Sequence, residues 1–160
     1  MKETTIEILK KAGWYPNRKI DITELIKLYE KKGFEMFPAA QIFLEEYGML
    51  DVYSPINPKI PEADIIKYNF KRYDFNTTNM IKGLNGMLDR DYVSEYEEDY
   101  VEEKLVIVGS LSNRHQYLMI SESGKLFTEY GFFGNNAEEF WDRILNYDIV
   151  TNWMQWDGFE

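Results

Sequence analysis

A chain of 160 residues with 44% hydrophobic and 16% aromatic residues can bury one continuous core, and its composition excludes a disordered or low-complexity protein. A formal net charge of −10 argues against direct nucleic-acid binding, which needs Lys and Arg to displace counterions from phosphates. The absence of cysteine removes disulfides and thiolate metal sites. The first residues, MKETTIEILKKAG, are too polar for a secretory signal, and the longest apolar run, near Leu105 to Val108, is far short of the ~20 residues of a membrane span. No membrane association and a cytoplasmic location are the expectations.

In chain order, Thr4 with Glu7 has capping-box spacing, Ile6 and Leu9 give a helical stripe, and Gly13 marks a stop, so a helix is predicted over about Thr5 to Ala12. Asp21 and Glu24 repeat the capping signature ahead of Ile22, Leu25, Ile26 and Tyr29, with Gly33 as the stop of a second helix. Pro38, then Ala40, Phe43, Leu44 and Tyr47, then Gly48, predict a third. Between them, Trp14 beside Gly13 and Pro16 reads as a core plug at a helix end, and Arg18 as a partner for a helix C-terminus or an acid.

The pattern then changes. Leu50 to Tyr53 is short and apolar, Pro55, Pro58 and Pro61 punctuate a loop, and Ile65, Ile66, Tyr68 and Phe70 suggest an extended segment. Asn76 to Leu88 reads as a loose helix on the spacing of Met80, Ile81, Leu84 and Leu88, weakened by Gly83 and Gly86.

The stretch Asp89 to Glu103, DRDYVSEYEEDYVEE, packs eight of the chain's 28 acidic residues into fifteen positions. Tyr92, Tyr96 and Tyr100 recur every four residues, so on a helix from about Asp91 to Glu103 they line one face, while Glu95, Glu98 and Glu102 fall towards the other. Val101 lies opposite the tyrosines in an ideal helix, so an end or distortion is expected near it. Two readings stand for the acids: a solvated helix face, or a presented negative surface that attracts cations, basic proteins or proteins that grip phosphate.

From Leu105 the chain reads as sheet: Leu105 to Val108, Gln116 to Ile120 and Lys125 to Tyr130, with Ser121 to Gly124 as a turn. The first two are continuously apolar, as central strands are. Gly131 to Gly134 breaks the pattern, and Asn135 or Asn136 caps a final helix built on Ala137, Phe140, Trp141, Ile144 and Leu145. Trp153, Trp156 and Phe159 form an aromatic tail over 146–160, suited to docking on the core or to a dimer or partner contact. Helices around hairpin strands, with no βαβ alternation, predict an α+β fold with a mainly antiparallel sheet, as one domain over 1–160.

Catalytic patterns are poor. His115 is the only histidine, the serines near it have no Gly-x-Ser-x-Gly elbow, and Gly83 to Gly86 lacks the lysine of a phosphate loop. Asp89, Asp91, Glu95, Glu98, Asp99 and Glu102 lack the glycine-centred spacing of a calcium loop. No catalytic residue, metal or cofactor is expected.

Taken together, the chain resembles the SUKH superfamily, in its third bacterial subgroup. The resemblance rests on Gly13-Trp14 with Pro16 and Arg18, on Phe37-Pro38 followed by Phe43 to Gly48, and on Leu88-Asp89, Val93 and Tyr96-Glu97 leading into Leu105 to Gly109. Leu118 to Ile120 with Gly124 to Phe127, and the closing helix from Asn135 to Leu145, complete it, over about Ile6 to Leu145. The family usually carries glycine near Asn17 and at Met49; Asn tolerates left-handed geometry, whereas Met49 implies an altered turn. The resemblance implies an α+β fold and an immunity protein that binds and neutralises a cognate polymorphic toxin, the family's toxins including many nucleases. The acidic helix is then the expected toxin-binding surface, through Asp91, Glu95, Glu98 and Glu102, on a monomer or homodimer. Two other readings are a scaffold of the same fold with no toxin partner and, more distantly, a small enzyme that uses two convergent carboxylates.

Overall fold

A computed structural model describes residues 1–82 and 85–146. It contains helices α1 (Glu3–Lys11), α2 (Thr23–Lys31), α3 (Pro38–Tyr47), α4 (Glu62–Tyr68), α5 (Arg90–Tyr96) and α6 (Ala137–Asn146). The strands are β1 (Asp51–Pro55), β2 (Tyr73–Thr77), β3 (Leu105–Leu111), β4 (Gln116–Ser121), β5 (Leu126–Thr128) and β6 (Gly131–Gly134). They form one antiparallel sheet in sequence order, β1 to β6, an α+β architecture. The aromatic tail with Trp153, Trp156 and Phe159 lies outside the described residues.

The first two helices end alike. Gly13 (φ 109°) and Gly33 (φ 86°) adopt left-handed backbone and close Schellman motifs. Trp14 N donates to Leu9 O and Gly13 N to Lys10 O, and Phe34 N donates to Tyr29 O and Gly33 N to Glu30 O. Each motif turns an aromatic back onto the core. Trp14 stacks on Tyr47 at 6.1 Å, and the rings continue through Trp141, Phe140 and Phe133. Each such buried side chain contributes about 2 kcal/mol of transfer free energy. Arg18 donates to Glu46 O at 2.7 Å, so it satisfies the C-terminus of α3 as expected.

Several local expectations are corrected. α1 begins at Glu3, which leaves Thr4 inside the first turn, where its hydroxyl donates to Asn146 Oδ1 and ties α1 to α6 instead of capping. Residues 62–68 are helical, not extended: Pro61 precedes an acidic first turn, Lys67 sits in the last, and Asn69 (φ 53°) stops the helix. Among the described residues the loose helix of 76–88 gives way to the end of β2 and a short 3₁₀ turn, Asn85–Met87, while Gly83 and Leu84 lie outside the described residues. Gly131 to Gly134 continues the sheet as β6. Met49 (φ 61°) keeps left-handed backbone, as does Asn17 (φ 64°), so the turn expected to change at Met49 retains glycine-like geometry.

β3 is buried along its whole length and β4 over its last four residues, which marks them as the covered centre of the sheet. β2 meets β3 only at Thr77–Ser110. Where β2 has departed, the buried Tyr29 hydroxyl donates to Ile107 O and a carboxylate from the acidic segment accepts from Leu105 N, so backbone groups of β3 without a strand partner are still satisfied.

Candidate functional site

The acidic segment is built as a helix bolted down on one side. Asp89 is its N-cap, its Oδ1 accepting from Asp91 N at 3.0 Å and Tyr92 N at 3.3 Å. After Tyr96 the coil widens into a π-helical turn, Glu97–Val101, closed by Glu102 N donating to Glu97 O at 3.0 Å, and left-handed Glu102 (φ 60°) ends it. The wide turn carries Val101 round to pack against the core, which is the distortion its position called for.

Tyr92, Tyr96 and Tyr100 are half-buried and form a continuous layer, with centroids 5.5 Å and 5.9 Å apart; Tyr92 meets Tyr117 of β4 edge-on at 4.9 Å. Beneath them Glu129 accepts from Tyr117 N at 2.6 Å and from the Tyr92 hydroxyl. Burial pushes the Glu129 carboxyl above the usual range, and burial likewise raises the Tyr92 and Tyr96 hydroxyls.

The acids divide by role. Glu97 turns inward, pairing with Arg90 and accepting from Leu105 N at 2.6 Å, while the Arg90 guanidinium lies 5.4 Å from the Phe34 ring. Glu103 holds Ser123 through its amide and hydroxyl. Asp91, Glu95, Glu98 and Glu102, the four residues singled out from sequence, are all exposed, and Asp99 joins them. The segment therefore presents fixed negative charge on an anchored element, an arrangement suited to attracting cationic surfaces.

A separate open groove of about 500 Å³ is lined by Ile56, Ile60, Phe70, Lys71, Asp74, Asn113 and His115. Its carboxylate, Asp74, accepts from Asn113 Nδ2 at 3.2 Å, and among the described residues no second acid lines it to make the carboxylate pair of a glycoside-type site. Among the described residues no three His, Asp or Glu side chains converge as metal ligands, and no helix is long and apolar enough to cross a membrane.

Sequence reasoning passed over the outer face of the β1–β2 hairpin, where Tyr53 and Tyr73 stand exposed. The signal was present: Tyr73-Asp74-Phe75-Asn76-Thr77 alternates aromatic and polar residues with the period of a strand.

A family model described as SUKH-3 immunity protein matches residues 1–147. No curated protein and no solved structure matches the chain.

Proposed function

The chain belongs to the SUKH-3 immunity protein family, and from that premise we propose that it works in the cytoplasm by binding and neutralising a cognate polymorphic toxin, without catalysis of its own. The observation that carries this reading is the presentation of Asp91, Glu95, Glu98 and Glu102 on a helix whose opposite side is anchored by three tyrosines and Glu97. Side chains on a rigid element lose little freedom on docking. A toxin that cuts nucleic acid needs a basic groove, and this surface complements it in charge. Complementary charge acts mainly on the association rate and makes it salt-dependent.

Co-expression of this chain with a candidate polymorphic-toxin domain tests the reading. Rescue of the host and co-elution of the two proteins are expected; neither occurring would leave a scaffold without a toxin. Within a complex, Glu98→Lys and Glu102→Lys are each expected to slow association several-fold at low ionic strength, on the order of the range for rim charges. Unchanged rates and an unchanged salt slope would remove the helix from the interface.

A further inference from the structure

Residues directly opposite one another in an antiparallel sheet place their side chains on the same face. Asp51 pairs with Thr77, Thr77 with Ser110, and Ser110 with Tyr117, so these four form one row across β1, β2, β3 and β4. Tyr92 packs on Tyr117, which puts α5 over this face. Thr77 and Ser110 are buried in the row. One step further along the hairpin, on the same face, Tyr53 stands opposite Phe75, and a step beyond, Pro55 stands opposite Tyr73. Here the cover stops: the Tyr53 and Phe75 rings touch at 5.2 Å, yet Tyr53 remains 61% and Tyr73 60% exposed. An aromatic sheet face left open to solvent beside an acidic helix is costly unless something covers it.

We propose that this bare hairpin face is the anchoring core of the toxin interface, and that the exposed acids of α5 and its π-helical turn are its charged rim; the inference rests on the immunity reading above. Interface energy concentrates in aromatic residues at a desolvated centre, while exposed charges at the edge govern encounter more than residence. The acidic helix alone has no such centre, and Tyr53, Phe75 and Tyr73 supply one on the same face. The charge around the rings bears on the partner's chemistry: Arg72, next to Tyr73, is offset by its ion pair with Glu62, so that among the described residues, apart from Lys71, the fixed charge on this face is acidic. Exposed Asp51 lies in the row beside Tyr53, and Tyr92 stands on that row, so Asp91, next to Tyr92 in α5, lies nearer the row than Glu102, which ends the π-helical turn. The fitting occupant is a toxin surface that sets Arg or Lys side chains among planar or apolar ones, with guanidinium groups able to lie over the tyrosine rings. Grooves that hold single-stranded nucleic acid have this composition, so the inference joins the rim and the core into one substrate-mimicking surface.

The test uses the full-length protein and a catalytically inactive form of the toxin domain that it neutralises in co-expression, with association and dissociation rates measured at low and physiological salt. The double variant Tyr53→Ser/Tyr73→Ser is expected to weaken binding about tenfold or more, chiefly through faster dissociation, with the salt slope retained. Asp91→Lys is expected to slow association more than Glu102→Lys. Should the double variant melt early, Tyr73→Ser alone, at the end of its strand, gives the same readout with a smaller loss. Wild-type binding that the tyrosine variants leave unchanged would overturn this inference and leave the immunity reading standing. Failure of the wild type to bind the toxin would overturn both. A concentration-dependent dimer of the free protein that the tyrosine variants abolish would identify a second copy of the chain as the occupant and overturn the inference in that way.

Discussion

The tyrosines of residues 92–100 and those of the β1–β2 hairpin lie on one face of one sheet and meet opposite fates. The first set repeats every four residues along a helix, so one side of that helix seals onto the central strands and the other carries the acids outward. The second set alternates along strands at the sheet's margin, where the Tyr53 ring meets that of Phe75 and both Tyr53 and Tyr73 stay open to water. Aromatic content therefore does not decide burial. What decides it is whether another element lies over the ring: Tyr92 of α5 packs on Tyr117 at one end of the row, while Tyr53 and Tyr73 lie beyond its other end at Asp51.

The difference implies that changes near the helix cost stability, whereas changes of the hairpin rings cost binding. The largest effect is expected at the root of the hairpin, because an open face anchors a partner only if its backbone is rigidly held. A Cβ at Gly48 would sit 2.4 Å from Leu44 O, so Gly48→Ala should lower stability by about 3 kcal/mol by chemical denaturation. A loss below about 0.5 kcal/mol would show that the hairpin root yields easily and would weaken its role as an anchor. Next comes Glu97→Ala, which strands Leu105 N and Arg90 beneath the helix and should cost about 2 kcal/mol. If the variant is as stable as the wild type, the helix is not bolted down in the way its contacts indicate.

The smallest effect concerns pH. Burial raises the Glu129 carboxyl in the folded state, so the native protein holds that proton to higher pH than the unfolded chain does. Its contribution to stability therefore falls as pH rises from the ordinary Glu value, roughly 4.3, through the raised native value, and is level above it. Glu129→Gln lacks this slope, and the stability of wild type relative to variant should decline across that window. A constant difference between the two would place Glu129 in contact with water and loosen the packing of Tyr92 on β4.

Much of this was readable from local pattern. Gly13 and Gly33 end their helices as their positions dictate, Asn136 caps α6 by accepting from Glu139 N at 2.9 Å, and the two faces of the acidic helix follow from its period. Residues 62–68 misled because Ile65, Ile66 and Tyr68 are favoured in strands, while the signals that won were Pro61, the acidic first turn and Asn69. β2 was missed because a short aromatic and polar alternation carries little weight until a partner strand is known. At the candidate site, exposure of the four acids was legible, but the inward turn of Glu97 beside outward Glu98 was not. It depends on Leu105 N and Arg90 arriving from elsewhere to receive it.

Helix ends, the acidic and aromatic sides of residues 89–103, the apolar central strands and the family likeness were set by the chain's own order of residues, because capping, periodicity and charge act within a few positions of one another. Only the folded structure joined β1 to β2, ran a single row of side chains from Asp51 to Tyr117, and left Tyr53 and Tyr73 bare beside the acidic helix. Those relations come from pairings between distant segments, whose register is chosen by what the whole core can bury rather than by any local signal.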